Sequence, residues 1–425
     1  MTTARRLTEA RGQARRLAGS DAARLVIVGL VAQAVTVLSG PMLARMLGDV
    51  GRGQLAIVLA AALVCNQLAL NSLGAGITRA VASRHRPARD LVLRHLPRWI
   101  AWSAVSAVAA AGCTAVFLRD SGSVWPLTAM AFLICFTGAV LGLLRAMVRG
   151  ENGLKYINRA DLAITFGYVG LVVILFVFWR QAPAVVVLGT FLVGQLLSLA
   201  IMSRGLRPSL DPTPDLTVAK DVHGFARRGY FASIGTLDRL GLDTLILGAM
   251  LGTAIVGQYS IASSIAALPA LLVGRLAVAV LPRMAAYPPA EAAAFLRRWT
   301  AGALLLMAPV IVILWVLMDP LVNVLFGEVF APTVWPSRIL LIANSAFSIR
   351  LIFTAAASAQ GRERAVSVIS LVSSAGLVAA LAIGAHLDGL TGAAIGVTIA
   401  SVAGCLAVAR AVSWTGRTDL RTDSR

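Results

Sequence analysis

Residues Leu43-Ala44-Arg45-Met46-Leu47-Gly48-Asp49-Val50-Gly51-Arg52-Gly53-Gln54 return 204 positions later as Leu247-Gly248-Ala249-Met250-Leu251-Gly252-Thr253-Ala254-Ile255-Val256-Gly257-Gln258. Over positions 43–58 against 247–262, seven of 16 residues are identical; chance at this composition gives roughly one. The repeat extends outward from there. Val124-Trp125-Pro126 is echoed by Val334-Trp335-Pro336, and Gly150 and Gly361 each open a charged turn after an apolar run. The chain is two similar apolar halves. In membrane proteins built this way, the transport site lies on the seam between the halves.

Composition gives those halves their setting. Mean hydropathy is +0.82, and 58% of residues are hydrophobic against 13% charged, outside the range of soluble globular chains. Apolar runs of about 20 residues, each long enough to cross a bilayer, recur along the whole length. The short alternating segments of a β-barrel are absent from the sequence. The chain therefore reads as an all-α polytopic membrane protein. Its spans are expected at about 25–47, 54–76, 99–118, 124–147, 160–179, 183–203, 229–251, 255–278, 300–318, 335–357, 365–386 and 390–412.

The net charge of +19 does not read as a nucleic-acid stripe, because its distribution follows topology. Of 38 Lys and Arg, 31 fall in the two tails or around the connectors after spans 2, 4, 6, 8 and 10. Five occupy the opposite side (Arg45, Arg52, Arg119, Arg180 and Arg338), and Arg239 and Arg350 lie inside spans. By the positive-inside rule both termini are expected in the cytoplasm of a bacterial inner membrane. The first span, preceded by arginines without an Ala-x-Ala site, reads as an uncleaved anchor. The eight tryptophans lie at or near span ends, as an interfacial belt requires.

The organisation follows: a basic N-tail (1–24), a first six-helix lobe (25–203), a linker (204–228), a second lobe (229–412) and a C-tail (413–425). The linker contains Pro208, Pro212 and Pro214 and cannot form one regular helix. Six spans per half is an even number, so the second half enters the membrane with the orientation of the first. The bundles are parallel, related by an axis along the membrane normal, around a central cavity.

Several motifs now in view resemble a known group. Pro41 with Leu43-Ala44-Arg45-Met46-Leu47-Gly48 and Gly51-Arg52-Gly53 is similar to the signature after span 1 of bacterial polysaccharide flippases. Leu73-Gly74-x-Gly76-x-x-Arg79, Asp243-x-Leu245-Ile246-Leu247-Gly248, Val256-Gly257-x-Tyr259-x-x-Ala262, Leu325-Phe326-Gly327, Gln360-Gly361-Arg362 and Leu390-x-Gly392-Ala393-Ala394 extend the resemblance over nearly the whole chain. The group is the polysaccharide branch of the multidrug/oligosaccharidyl-lipid/polysaccharide exporter superfamily. The resemblance implies two six-helix bundles forming a V-shaped cavity. It also implies movement of undecaprenyl-diphosphate-linked glycans from the inner to the outer leaflet.

Charges inside spans are costly and mark either a cavity or a structural pair. Asp238, Arg239 and Asp243 cluster in span 7, with Arg239 and Asp243 four apart on one helix face. They read either as an ion pair locking the span or as a phosphate-binding lining. Arg350, alone deep in span 10, reads as a cavity residue or as a partner of Asp238 or Asp243. Arg45 and Arg52 flank the first outer turn, with Asp49 between them, as a capped turn or a cationic rim. Arg79 and Arg145 sit at cytoplasmic ends of spans 2 and 4, as topological anchors or as first contacts for a diphosphate. Arginine's planar fork suits phosphate oxygens better than lysine does.

The first-half spans contain essentially no acids, Asp161 at a span end being the nearest. A cation-coupled multidrug exporter of the same superfamily is expected to place carboxylates there, so an anionic cargo is favoured. The alternatives are that exporter and a non-transporting scaffold for polysaccharide assembly. Glycine pairs Gly167/Gly170 and Gly392/Gly396 read as close-packing faces or as hinges. No catalytic constellation, metal spacing or cofactor motif is present in the sequence, and Cys65, Cys113, Cys135 and Cys405 read as small core residues. Expected partners are the lipid-linked glycan, membrane lipids and polymerases or glycosyltransferases of the same pathway, with no nucleic acid.

Overall fold

The structure, a computed structural model, describes residues 3–84, 88–89, 96–206, 222, 224, 241–270, 273, 284, 289–360 and 362–413. The linker, apart from a few positions, and parts of spans 7 and 8 lie outside these residues. Among the described residues all regular structure is helical.

Helix α1 runs from Thr3 to Arg84, broken only at Gly48, where φ is 64° and ψ −170°. That backbone region is open essentially to glycine alone. The repeat copy behaves identically: α6 (Leu242–Leu251) ends at Gly252, with φ 83° and ψ 174°, and α7 (Thr253–Ala266) begins one residue later. The loop expected after span 1 is thus a one-residue bend. Spans 3–6 appear as α2 (Leu96–Phe117), α3 (Val124–Gly150), α4 (Leu154–Phe178) and α5 (Ala184–Ser203). Span 9 is α8 (Pro289–Val316), followed by a short α9 (Met318–Leu325) and a 3-10 turn (Glu328–Thr333) that the sequence pattern did not suggest. Span 10 is α10 (Val334–Ala359), and α11 (Glu363–Ser413) carries spans 11 and 12 across a break at Asp388 and Gly389.

Among the described residues, eight helical stretches are long and apolar enough to cross a membrane, and the 48-residue stretch Ala365–Val412 is long enough to do so twice. With both halves of α1 and the partly described spans 7 and 8, the helices fit the expected twelve crossings. The second copy of the Val-Trp-Pro echo holds as well. Val124 opens α3 and Val334 opens α10, placing Pro126 and Pro336 in first turns, where proline is tolerated. Trp125 and Trp335 are 78% and 61% exposed, as belt residues are. Trp99 is a correction: it is fully buried among Ile77, Val81 and Met147, so it packs a core rather than an interface. Gly361 and Trp414 lie outside the described residues.

The cores show how the bundles sit. One large cluster spans both halves at the Gly48 end, joining Leu43, Leu55 and Ile57 to Leu247, Tyr259 and Ile261. Among the described residues, two smaller clusters each belong to one bundle. Leu73, Ile77, Trp99 and Leu143 serve the first bundle, and Leu296, Met307, Ile352 and Ala356 serve the second. The described bundles thus share one core at the Gly48 end. Val222 of the linker is buried against the first bundle beside Gly76.

The join is made by the repeat itself. A Cβ on Gly53 would collide with the carbonyl oxygen of Thr253, and a Cβ on Gly257 with that of Asp49. Each residue is the 204-residue counterpart of the other contact's partner, so the contact is reciprocal, as a two-fold axis demands. The Gly392/Gly396 pair also proves to be a close approach, against the carbonyls of Gly384 and Ala380 across the α11 bend. Gly167 and Gly170 face open space and form no such contact.

Candidate functional site

Among the described residues a cavity of about 930 Å³, open on one side, lies between α1, α3, α4 and α5, within the first bundle and not on the seam between the halves where the repeat predicts the site. On α1 it runs from Leu59 to Ala82, so it reaches from mid-helix to the end remote from Gly48. Its walls are mostly aliphatic, and its polar groups are sorted by depth. Arg79 of α1 and Arg145 and Arg149 of α3 stand at the remote end. Arg145 and Arg149 are four residues apart and share a helix face. Deeper, Asn66, Gln67 and Gln195 line the wall, with Phe191 beside them. Among the described lining residues there is no carboxylate.

Local packing fixes each group. Gly150 ends α3 where a Cβ would meet the Val81 side chain at 2.6 Å, and Thr78 Oγ1 donates to the Ala146 carbonyl at 3.1 Å. These contacts hold the arginine-bearing ends of α1 and α3 together. Arg145 is ion-paired with Asp161 of α4, a half-exposed carboxylate just behind the cavity wall. Its Nε is buried without a hydrogen-bond partner. Asn66 Nδ2 donates to the Cys135 carbonyl at 3.1 Å and its Oδ1 accepts from Ser106 at 3.3 Å. Gln195 Oε1 accepts from Thr137 at 2.5 Å. Phe191 meets Tyr168 edge-on, with centroids 5.7 Å apart.

The other charges singled out by sequence lie elsewhere. Arg52 is half-buried beside Tyr168, toward the Gly48 end, with its Nε buried and unpartnered. Arg45 donates to the carbonyl of Val324 in the last turn of α9, tying the first half to a helix C-terminus in the second. Arg350 is only 6% exposed and lies inside the second bundle, its guanidinium 3.3 Å from Ser370 Oγ and close against Gly404. It does not line the cavity. Asp243 accepts from Tyr259 Oη at 2.6 Å and from Thr244 N at 2.7 Å at the start of α6. Gly241, the residue before that helix, is left-handed (φ 93°). Asp238 and Arg239 themselves lie outside the described residues.

The structure thus brings together Arg79 and Arg145 from the sequence reading and adds Arg149, Asn66, Gln67 and Gln195. Arg149 was legible as the i+4 neighbour of Arg145. The three carboxamides were legible as polar residues stranded inside apolar spans, a weaker signal than charge.

A family model described as polysaccharide biosynthesis protein matches residues 99–335, more than half of the chain. No curated protein matches significantly. Among solved structures, the chain is similar to an inward-facing multidrug resistance MATE family transporter of the MOP superfamily. Identity is 15% and the TM-score 0.74, over 92% of this chain and 99% of that one. An outward-facing MATE family transporter gives 17% identity and a TM-score of 0.55, over 92% and 94%. A mutant of the Vibrio cholerae MATE transporter VcmN gives 15% and 0.55, over 93% and 98%. The duplicated helical halves and the family match agree: the chain belongs to the polysaccharide biosynthesis protein family and has the multi-pass helical fold of the MATE transporters.

Proposed function

We propose that the protein is a flippase that carries undecaprenyl-diphosphate-linked oligosaccharide from the inner to the outer leaflet of a bacterial plasma membrane by alternating access. The observation that carries this is the cavity's charge: three arginines at one end and no carboxylate among the described lining residues. Even with Arg145 paired to Asp161, such a wall favours an anion over a cationic drug.

In this reading both termini are cytoplasmic and Arg79, Arg145 and Arg149 face the cytoplasmic headgroups. They receive the diphosphate while the glycan enters the cavity and the polyprenyl tail stays in lipid. Arg52, buried nearer the opposite face, meets the anion later in its passage. Arg45, Asp243 and Arg350 hold the framework. The fusion of the lobes at the Gly48 end supports an inward-open state. With the cell interior negative, outward movement of an anion gains about 2.3 kcal/mol per charge per 100 mV. The partners are the lipid-linked glycan and the glycosyltransferases and polymerase that make and use it.

The test is flipping of fluorescently tagged lipid-linked oligosaccharide in proteoliposomes. Arg145→Gln with Arg149→Gln is expected to cut the rate by about tenfold or more per lost charge-assisted contact, at normal protein content. A wild-type rate in that double variant, or sensitisation of a deletion strain to cationic drugs with intact surface glycan, refutes the reading.

A further inference from the structure

We infer that Asn66 and Gln195, on either side of Gly138, form a separate subsite that reads hydroxyls of an uncharged sugar ring in the lipid-linked glycan. This rests on the flippase reading and adds to it a specificity determinant. The two carboxamides come from different helices, α1 and α5, and converge on the same point of α3. A Cβ at Gly138 would lie 3.1 Å from Asn66 Nδ2 and 3.2 Å from Gln195 Nε2. Glycine leaves that space open to the cavity, which all three residues line.

The donors are held but not consumed. Gln195 is only 7% exposed. Its Oε1 is engaged by Thr137, which orients the amide and leaves Nε2 without a partner, facing the cavity. Asn66 uses Oδ1 for Ser106 and one N–H for the Cys135 carbonyl, which leaves its second N–H. An N–H held in place by the other end of its amide and open to a cavity can meet a ligand acceptor without first breaking an internal hydrogen bond. Two neutral donors in a site lacking carboxylates match hydroxyl oxygens, which both accept and donate. Phe191, locked edge-on by Tyr168 in the same wall, supplies an apolar face for the C–H side of a ring.

The spacing says which part of the cargo is read. Asn66 and Arg79 are 13 residues apart on α1, about 20 Å along the helix axis. On α3, Gly138 and Arg149 are 11 apart, about 16 Å. A diphosphate alone does not bridge such a gap. With the diphosphate on the arginines, the amides meet the glycan beyond its first linkage, the part that differs between polysaccharides.

The experiment compares binding of two probes to the full-length protein in nanodiscs. One is undecaprenyl diphosphate. The other is the undecaprenyl-diphosphate-linked oligosaccharide pool extracted from the cells that make it. The reading is the affinity ratio, glycan-bearing over glycan-free. Gln195→Leu is expected to lower that ratio by about tenfold, as loss of a built hydrogen-bond partner does. Gly138→Ala, which fills the space while keeping both amides, is expected to lower it similarly. Arg145→Gln should weaken both probes and leave the ratio near wild type. An unchanged ratio in both Gln195→Leu and Gly138→Ala, or an equal loss for the two probes, overturns the subsite. If neither probe binds wild type, the flippase reading fails first, and the inference with it.

Discussion

The two bundles share a scaffold but use their arginines differently. In the first, Arg79, Arg145 and Arg149 stand in the wall of a cavity. In the second, Arg350 is enclosed by its own bundle, against Ser370 and Gly404. Yet where the bundles touch they remain equivalent, down to the reciprocal contacts of Gly53 and Gly257 and the matched backbone of Gly48 and Gly252. Duplication has been kept where the halves must fit each other and abandoned in the placement of their buried charges.

That contrast can be broken in three ways. The largest effect is expected at the join. Gly53→Ala and Gly257→Ala each drive a methyl group into a backbone carbonyl that no side-chain rotation can relieve. Each should cost about 1–3 kcal/mol or more, and by the symmetry of the contact the two losses should match in thermal unfolding of the detergent-solubilised protein. A large loss for one and none for the other would show that the join is not reciprocal. The next effect is at Arg350. Arg350→Ala empties a packed site and is expected to cost about 2 kcal/mol, lowering membrane abundance and melting temperature while each surviving molecule flips at a near-normal rate. Normal abundance with lost flipping would instead give the second bundle a cargo-binding arginine. The smallest effect is at Asp161, which competes with a diphosphate for Arg145. Asp161→Asn removes a half-exposed pair worth at most about 1 kcal/mol. It should therefore tighten undecaprenyl diphosphate binding by up to about fivefold.

Much of the fold was legible because a bilayer leaves few choices. Span length, the basic connectors and an even number of spans per half gave the twelve crossings and the parallel halves. The repeat also marks the two glycine bends, at Gly48 and Gly252. Depth and direction were harder. Arg350 and Arg79 look alike in sequence, one charge in or near an apolar run. Only the packing of α10 on α11 decides that Arg350 faces its own bundle, and only the Gly150–Val81 approach turns α3 so that Arg145 and Arg149 face inward. The left-handed turn at Gly241 was not legible either, because a glycine inside an apolar run gives no sign of its backbone conformation. The carboxamides are only faintly legible, because polarity without charge is a weak signal in a hydrophobic chain.

The single-residue bend at Gly48 also has a mechanical meaning. Beyond it α1 runs without proline or interruption to Arg84, 36 residues in all, or about 54 Å at the rise of an α-helix. That exceeds the roughly 30 Å of hydrocarbon it must cross. A bar of this length pivoting at one glycine is a lever with its fulcrum at the join. A turn of about 10° there moves Arg79, some 46 Å away, by about 8 Å, while the fulcrum barely shifts. Small adjustments between two glycines are thereby geared into the displacement of the residues that hold the load.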